Sequence, residues 1–424
     1  MHHYVTQGYV LPNQMHIYWT MMIVLYPYIT GIVAGAFIIS SLHHVFDRDE
    51  LKPVSRFAML MALAFLLCAP LPLLAHLGHP ERALNIMFTP NVTSAMAGFG
   101  FIYSIYLLIL TVEIWLLYRA DIVFLASNAR SATMRRLYWI LALGVTEISE
   151  EAKALDRKVM LFLAAIGVPA ACMLHGYVGF LFGAIKANPW WASPLMPVVF
   201  LLSAIVSGIA MVLVCYLIVQ WVNKRPVDSE CTQSLMESAW YFLLVDVALE
   251  GLELLNHAYM ANHDWEILKH LIVDKLFVSL FVIQFLIGSI VPLVLLGAGV
   301  VFKDRISAGT RNVLGFASGV LLLVQVLAMR WNVVMGGQMF SKSFRGFLDF
   351  QIEIYGREGL LAVLGLFTLP FVAMLIFSRV LPMWGPISTF PKRWLKEKPP
   401  EYVPLRNFTK FRNDFADTAT IRRN

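Results

Sequence analysis

The stretch LMESAWYFLLVDVALEGLELLNHA, residues 235–258, is long and apolar enough to cross a membrane, yet residues 246–257 within it contain four ionisable side chains. A helix needs about 20 apolar residues to cross the hydrocarbon core of a bilayer. Ionisable groups at that depth are costly and usually mark a pathway or a binding site. The stretch therefore predicts a membrane-embedded fold with a polar site inside it.

The composition of the whole chain favours the same class of protein. Its 424 residues are 59% hydrophobic and only 14% charged, whereas soluble domains average about 25% charged residues. Nine apolar runs are long enough to cross a membrane: 17–41, 55–77, 92–118, 158–184, 194–221, 235–258, 273–300, 311–329 and 358–380. We therefore predict an all-α, polytopic membrane protein with about nine transmembrane helices.

A short internal similarity suggests how these helices are grouped. Span two ends with LPLLAHLGH and span six, four spans later, ends with LELLNHAYMANH. This spacing favours two four-helix bundles plus an extra helix. The stretch 119–157 has only a short apolar segment between charged flanks, which predicts a cytoplasmic or interfacial excursion, with a tenth span as the alternative. Residues 1–385 then form the transmembrane domain, and residues 386–424 form a basic cytoplasmic tail.

The distribution of positive charge predicts the orientation. Of the 33 Lys and Arg residues, 25 fall in the C-terminal tail and the loops after spans one, three, five and seven, and 8 fall on the other side. Positive residues collect on the cytoplasmic side of membrane proteins. We expect a bacterial inner-membrane protein with a periplasmic N-terminus and a cytoplasmic C-terminus. The net charge of +6 thus reflects topology and contact with membrane lipids, and predicts no nucleic-acid partner.

Span six carries its ionisable side chains on one helix face. Asp246, Glu250, Glu253 and His257 stand at positions i, i+4, i+7 and i+11, which share a face. They cover about 16 Å of helix, from the membrane midplane to the outer surface. Helix–helix hydrogen bonds would explain a single polar residue. Four on one face favour a proton path or the lining of a site.

Other polar residues that are unusual in a membrane are predicted at the same outer depth. Asn13 and His16 precede the first span at i, i+3 spacing. His76 ends the second span, and His175 lies in the outer half of the fourth. Glu113 lies near the inner end of the third span, where snorkelling to the interface is the alternative to a proton-transfer role.

A quinone would suit this set of side chains. It needs an apolar slot, hydrogen-bond donors at its two carbonyls and an ionisable group that exchanges protons as electrons move. Histidine titrates near neutral pH, and a buried carboxylate can relay protons. A haem b held by two of His16, His76, His175 and His257 is an alternative, and a metal site at His76, His79 and His175 is another. The four cysteines form no C-x-x-C pair, so the chain has no iron–sulfur, zinc or c-type haem signature.

Three stretches resemble the NrfD/PsrC-like family of membrane subunits. They are HLGHPERALNIMFTPNVTSAMAGFGFIY (76–103), LHGYVGFLFGAIKANPWWASPLMPVVFLLSAIVSG (174–208) and RWNVVMGGQMFSKSFRGF (330–347). The resemblance covers most of residues 10–385 and is closest in pattern to HybB-type members and to the membrane subunits of cytochrome c:menaquinone reductase complexes. It implies a quinone-binding subunit with neither haem nor iron–sulfur cluster of its own.

The resemblance also implies the partners and the quinone. Family members dock a periplasmic four-cluster iron–sulfur protein, often joined to a molybdopterin-type subunit or a multihaem cytochrome c, and menaquinone is the expected cofactor. In polysulfide-reductase-like members an Asn and a His on the first helix contact the quinone, and Asn13 and His16 match their spacing. His175 matches a histidine of the middle motif, and the Asp246–Glu250 pair resembles proton-path residues of other members.

One departure from the family pattern concerns the loop after span two. Family members commonly have an Asp and an Arg where this chain has His76 and His79. The resemblance therefore transfers no acid role to this loop, although His76 could itself titrate.

Together these observations predict the membrane subunit of a respiratory oxidoreductase complex that exchanges electrons between menaquinone and a periplasmic iron–sulfur partner. The chain alone has no electron carrier, so the enzyme would be the whole complex. The predicted quinone contacts are Asn13, His16, His76 and His175. The predicted proton carriers are Asp246, Glu250, Glu253, His257 and Glu113. A secondary transporter with a carboxylate cation site and a purely structural anchor remain alternatives.

Overall fold

The computed structural model describes residues 17–91, 93–260, 264–340 and 346–385, together with Leu395, and in these residues the chain is helical without strands. A π-helical stretch, Val278–Ile290, runs directly into the helix Val291–Val301. The long helices are α1 (Met21–Phe46), α2 (Lys52–Cys68), α5 (Ala95–Asn128), α7 (Glu150–Gly183), α8 (Met196–Val222), α9 (Ser229–Met260), α11 (Val291–Val301), α12 (Ala308–Gly336) and α13 (Leu360–Val380). The short helices are α3 (Leu71–His76), α4 (Asn85–Phe88), α6 (Ala132–Leu141) and α10 (Trp265–His270).

Eight helical segments of the described residues are long and apolar enough to cross a membrane. They correspond to every predicted span except the sixth, which is α9. This helix has 32 residues, enough to cross a bilayer, but its polar residues lower its hydropathy. It packs between α8 and α11, where the sixth span is expected. The structure confirms the prediction of a polytopic, all-α membrane fold.

The long helices form two bundles that share one interface. The first bundle contains α1, α2, α5 and α7, and the second contains α8, α9, α12 and the span made of the π-helical stretch and α11. The final helix, α13, packs against α2. Contacts of α1 with α8 and α12, and of α7 with α8, join the two bundles. The predicted grouping into two four-helix bundles plus an extra helix is therefore confirmed.

The shared interface depends on two glycines. A Cβ atom added to Gly208 of α8 would lie 2.7 Å from the backbone nitrogens of Gly35 and Ala36 of α1, and one added to Gly35 would lie 2.6 Å from the Cα atom of Gly208. The backbones of α1 and α8 thus touch, as small residues allow in membrane bundles. Every residue from Met22 to Ser41 of α1 is buried, so α1 contacts protein on all sides.

The two ends of the bundles define two faces of the molecule. The upper face contains the start of α1 and the ends of α3, α7, α9 and α12, and the lower face contains the opposite helix ends. At the lower face, Arg56 of α2 pairs with Asp121 of α5 at 2.5 Å, and Arg119 of α5 pairs with Asp156 of α7 at 2.6 Å. These ion pairs hold the first bundle together where its helices leave the apolar region.

The predicted excursion at 119–157 consists mainly of helix extensions. Helices α5 and α7 have 34 residues each, about 51 Å at 1.5 Å per residue, and so project beyond a core about 30 Å thick. Between them α6 has 10 residues, which is too short to span. Ser149 caps α7 by accepting the N–H of Ala152 at 3.1 Å, and Glu150 and Glu151 in the first turn complement the helix dipole.

The seventh span is unusual because its upper half is π-helical. This stretch has 13 residues, whereas most π-helical segments are single turns and many occur at functional sites. Ser289 Oγ donates a hydrogen bond to the carbonyl oxygen of Gln284, five residues earlier, at 2.9 Å. Pro292 lacks an N–H for the preceding turn and follows the end of the stretch. The widened turns bury Gln284 inside the second bundle.

We expect Gly208→Ala to lower the free energy of unfolding by about 1–3 kcal/mol, because the added methyl group overpacks a backbone contact that no side chain can relieve. The matched control is Gly365→Ala in α13, where an added Cβ meets nothing within 4 Å. That change should leave stability unchanged or raise it by up to about 1 kcal/mol. Thermal unfolding of the two detergent-solubilised variants measures the difference; equal stability of both would contradict the proposed role of the glycine contact.

Candidate functional site

The ionisable row of α9 faces the interior of the second bundle. Asp246 and Glu250 are buried, and Glu253 and His257, nearer the upper face, are half-buried. On the opposite side of the helix, Leu244, Val245, Leu252 and Leu255 are exposed. The row is therefore turned towards protein, and the apolar side of α9 is left for lipid.

Glu250 is the centre of a buried hydrogen-bond network. Gln284 of the π-helical stretch donates its Nε2 to Glu250 Oε2 at 3.0 Å, and Gln325 of α12 donates its Nε2 to Glu250 Oε1 at 3.2 Å. Asn332 of α12 donates its Nδ2 to Gln284 Oε1 at 2.7 Å. Both carboxyl oxygens of Glu250 thus accept amide N–H groups, which offsets the cost of burying them.

Asp246 lies one helical turn below Glu250 in a different environment. It is fully buried, and neither carboxyl oxygen has a hydrogen-bond partner among the described protein atoms. A positive charge on α12, Arg330, interacts electrostatically with both Asp246 and Glu250. A buried carboxyl group with a nearby cation and no fixed hydrogen bond can take up and release a proton without first breaking one.

Arg330 itself is hydrogen-bonded to α8. One guanidinium nitrogen, Nη2, donates to the carbonyl oxygen of Phe200 at 3.1 Å and to Ser203 Oγ at 2.8 Å, and the guanidinium carbon lies 3.9 Å from the centre of the Phe200 ring. Arg330 Nε has no hydrogen-bond partner among the described atoms. In the part of the chain that the structure describes, one buried cation thus faces two carboxyl groups.

A pocket lies beside the row, at the upper end of the second bundle. Its volume is about 60 Å³, which is room for a few water molecules. Its polar wall contains Glu250, Glu253, His257, Gln284 and Asn332. Its remaining lining is Trp190, Met196, Val199, Leu254, Leu280, Phe285, Met329 and Val333. A mostly apolar pocket with a few polar groups suits part of an amphipathic ring.

The loop between α7 and α8 forms the upper end of this pocket. The Trp190 ring stacks on that of His257 with centroids 6.5 Å apart, and its Nε1 donates to the carbonyl oxygen of Asn332 at 2.9 Å. Trp191 Nε1 donates to the carbonyl oxygen of Val333 at 2.6 Å. A Cβ atom on Gly337 would collide with the Trp191 ring, so the loop needs a glycine there to approach α12.

A second polar cluster joins four segments at the upper face. His76 Nδ1 at the end of α3 lies 3.0 Å from Glu358 Oε2, and the hydroxyl of Thr20 donates to the same oxygen at 2.6 Å. The N–H of Trp19 donates to Gln338 Oε1 at 2.9 Å, and the Trp19 ring stacks on Trp191 at 5.2 Å. The segment that leads into α1 is therefore attached to the ends of α3 and α12. The predicted quinone contacts Asn13 and His16 lie outside the described residues.

His175 is buried between α7 and α1. Its Nδ1 lies 2.7 Å from the carbonyl oxygen of Ala171, and its Nε2 contacts the carbonyl oxygen of Thr30 on α1. Both ring nitrogens thus face backbone carbonyl groups, and neither is left for a ligand. In this structure His175 connects two helices, and its predicted contact with a quinone would require one of these bonds to break.

Glu113 lies apart from the row on α9. It belongs to α5 in the first bundle, where it is fully buried and its carboxyl oxygens have no partner among the described protein atoms. Tyr106, about two turns away on the same helix, is also buried with an unpartnered hydroxyl group. The structure therefore assigns Glu113 no surface position for snorkelling and does not bring it together with Asp246 and Glu250.

Sequence reasoning missed the contribution of α12 to the site. The predicted eighth span ends at residue 329 and counts Arg330 as a loop charge, whereas α12 continues to Gly336 and buries Arg330. The missed signal is spacing: Arg311, Ser318, Gln325 and Asn332 stand seven residues apart and are all buried. Seven residues make almost two helical turns, so these four side chains follow one face.

The described residues also bear on the metal and transporter alternatives. In the ranges that the structure describes, no group of three or more His, Cys, Asp or Glu side chains is arranged to hold a metal ion. Helix α9 runs without a break from Ser229 to Met260, whereas many secondary transporters have interrupted helices at their ion sites.

Comparison with known proteins agrees with this architecture. The family profile described as polysulphide reductase, NrfD, matches residues 10–342. A selenate reductase subunit of Mesobacillus selenatarsenatis is 29% identical over 324 residues, which cover 75% of this chain and 73% of that protein.

Two archaeal proteins are also similar. A putative dimethyl sulfoxide reductase membrane subunit of Halobacterium salinarum is 29% identical over 282 residues, 66% of this chain and 61% of that protein. The integral membrane subunit of an Hdr-like menaquinol oxidoreductase of Archaeoglobus fulgidus is 24% identical over 352 residues, 80% of this chain and 77% of that protein. With most of its length matched and its helices arranged in two membrane bundles, this chain belongs to the NrfD family of membrane subunits of oxidoreductase complexes.

Proposed function

We propose that this chain is the quinone-reactive subunit of a respiratory complex. It would exchange electrons between menaquinone or menaquinol and a four-cluster iron–sulfur protein bound at its upper face. The observation that carries the proposal is the row on α9, in which buried carboxyl groups lead from the middle of the bundle to a pocket at the upper face. A quinone that gains or loses two electrons also gains or loses two protons, and this row offers groups that can exchange them.

The relatives support the choice of quinone and partners. The similar Archaeoglobus protein belongs to a menaquinol oxidoreductase, and the similar Mesobacillus protein belongs to a selenate reductase. By analogy we propose menaquinone as the quinone, and a molybdopterin-type subunit or a multihaem cytochrome c behind the iron–sulfur partner. The excess of Lys and Arg in the lower loops and tail supports a periplasmic upper face in a bacterial inner membrane.

Each group of residues has a proposed role. Asn13 and His16 would hydrogen-bond the quinone, and His76 would orient Glu358. His257 and Glu253 would exchange protons with the upper side, and Asp246 and Glu250 would store them. Arg330 would stabilise one negative charge on the Asp246–Glu250 pair, because one buried cation cannot balance two anions. Glu113 would serve a separate path in the first bundle.

Glu250→Gln should lower quinol-dependent turnover of the intact complex at least about tenfold, because the amide keeps the shape of the carboxyl group but cannot carry a proton. The control is Glu230→Gln, which removes an exposed carboxyl group from the first turn of the same helix. It should keep full turnover. Steady-state oxidation of a soluble naphthoquinol measures both; wild-type turnover by Glu250→Gln would refute a proton role for this carboxyl group.

His16→Leu should weaken quinol binding about tenfold to a hundredfold, as expected for the loss of a hydrogen bond to a buried polar group. The control is His79→Leu, in an exposed loop residue paired with Glu81 at 2.9 Å. The apparent KM for the naphthoquinol should rise in the first variant and stay constant in the second. A purely structural anchor would instead keep the same KM in both.

The partner proposal is tested by the subunits that co-purify with the chain. A tagged chain, extracted in mild detergent, should bring down a protein whose iron content and absorbance correspond to four iron–sulfur clusters. Its attachment should protect the upper-face loops, residues 77–94, from proteolysis more than the lower loops. The extraction must preserve the membrane assembly. If the chain then co-purifies with no iron–sulfur protein, the proposed partner is wrong.

A further inference from the structure

A second cavity lies at the lower face, at the opposite end of α9 from His257. Its volume is about 360 Å³, within the range of about 300–1,000 Å³ that is typical of small-molecule sites. It is lined by the start of α9, by the turn after α1 and by the lower ends of the seventh and eighth spans. All nine lining residues are polar or charged. The cavity therefore suits a charged group, and not a hydrocarbon ring.

The charges of the lining are balanced. Arg48 and Glu50 belong to the turn after α1 and form an ion pair with each other. The other charged lining residues are Lys303, Arg311, Glu230 and Glu237. A ligand with only a negative charge would meet the carboxyl groups, and a ligand with only a positive charge would meet the cations. A zwitterion, which has one group of each sign, can pair with both.

The buried cation of the cavity is Arg311. It is 9% exposed, and its Nη2 donates to Ser229 Oγ. Its Nε has no hydrogen-bond partner among the described atoms. A buried guanidinium without an anion is unfavourable. A phosphate suits it because the phosphate oxygens match the spacing of the guanidinium N–H groups. Lys303, which is exposed, adds a second positive charge to the lining.

The lining also offers hydrogen-bond acceptors. Glu237 Oε1 accepts from Gln233 Nε2 at 2.8 Å, which leaves Oε2 of the carboxyl group for a ligand. Gln233 Oε1 has no partner among the described atoms. An ammonium group has three N–H donors and no acceptor. It can therefore pair with the carboxylate and the amide oxygen at the same time.

One face of α9 leads from the cavity to the lipid. Glu230, Glu237 and Leu244 stand seven residues apart, almost two helical turns, and so share this face. Tyr241, one turn above Glu237, shares it too. Both Tyr241 and Leu244 are exposed, on the side of the helix opposite Asp246. A charged site thus continues into an apolar surface, which suits a phospholipid better than a soluble ion.

We propose that this cavity binds the headgroup of an aminophospholipid such as phosphatidylethanolamine. The phosphate pairs with Arg311 and Lys303, the ammonium group pairs with Glu237, and the acyl chains lie along the exposed face of α9. The turn Asp49–Leu51 packs against α9, so the lipid joins the first bundle to the helix that carries the row. The inference does not rest on the proposed function.

A matched pair of substitutions in one loop tests the site. Lys303→Gln removes a charge from the lining, and Arg305→Gln removes one from an exposed residue that does not line the cavity. The intact complex is stripped of lipid in detergent and titrated with phosphatidylethanolamine, and native mass spectrometry measures the dissociation constant. It should rise about twofold to fivefold in Lys303→Gln and stay constant in Arg305→Gln.

A further variant removes the buried partner of the phosphate. In Arg311→Gln the dissociation constant for phosphatidylethanolamine should rise at least about tenfold, because a hydrogen-bonded charge is lost from a buried position. Lys303 is exposed, so its substitution still tests the site if Arg311→Gln does not fold.

The carboxyl group is tested by the choice between two lipids. Phosphatidylglycerol has the same phosphate but a neutral glycerol in place of the ammonium group. Wild type should bind phosphatidylethanolamine at least about tenfold more tightly, as expected for a hydrogen bond between charged groups. Glu237→Gln should abolish this preference without weakening the binding of phosphatidylglycerol. A residue that only maintains the fold would change the affinity for both lipids equally.

The inference is overturned by any of three results. Equal affinity of wild type for both lipids would rule out recognition of the ammonium group. Unchanged affinity in both Lys303→Gln and Arg311→Gln would place the lipid elsewhere. Displacement of the lipid by equimolar soluble phosphoethanolamine would show that the face of α9 contributes nothing. Quinol turnover enters none of these measurements, so their failure leaves the proposed function untouched.

Discussion

The burial of a carboxylate row in an apolar bundle is the constraint on which the rest of this structure depends. Glu250 is tolerated because amide groups from two other helices reach both of its oxygens. One of them, Gln284, comes from a π-helical stretch, and the other, Gln325, comes from a polar face of α12. A carboxyl group that no partner reached would cost several kcal/mol in this environment. The π-helical stretch of the seventh span and the polar face of α12 thus both supply amide groups that stabilise the buried Glu250.

A close backbone contact joins the two bundles. At Gly35 and Gly208 the helices α1 and α8 approach without intervening side chains, which brings α12 and α7 to either side of the same interface. Arg330 can then be anchored to α8 through Phe200 and Ser203 while its charge acts on Asp246 of α9. Helix packing therefore sets the position of the buried cation that acts on the row.

Polar side chains from several segments meet at the upper face because several helix ends lie there. The start of α1 is joined to α12 by Trp19 and Gln338, and to α3 by Thr20, Glu358 and His76. The loop between α7 and α8, which contains Trp190 and Trp191, connects the same region to His257 at the end of the row on α9. A redox carrier bound at this face would be close both to the membrane and to a partner on the surface. In the proposed function, electrons pass between the carrier and that partner, and protons move along α9.

The sequence by itself determined the membrane class, the spans and the shared face of Asp246, Glu250, Glu253 and His257, because these follow from apolar run length and from the period of one helix. The family followed from local motifs. Only the tertiary structure decided what each polar group meets. Nothing within one helix reveals that Gln284 and Gln325 both donate to Glu250, that Arg330 is buried instead of lying in a loop, or that His175 Nε2 contacts the backbone of Thr30 on another helix. Those contacts join residues 34 to 145 positions apart, and they exist only because different helices of the same bundle pack against each other.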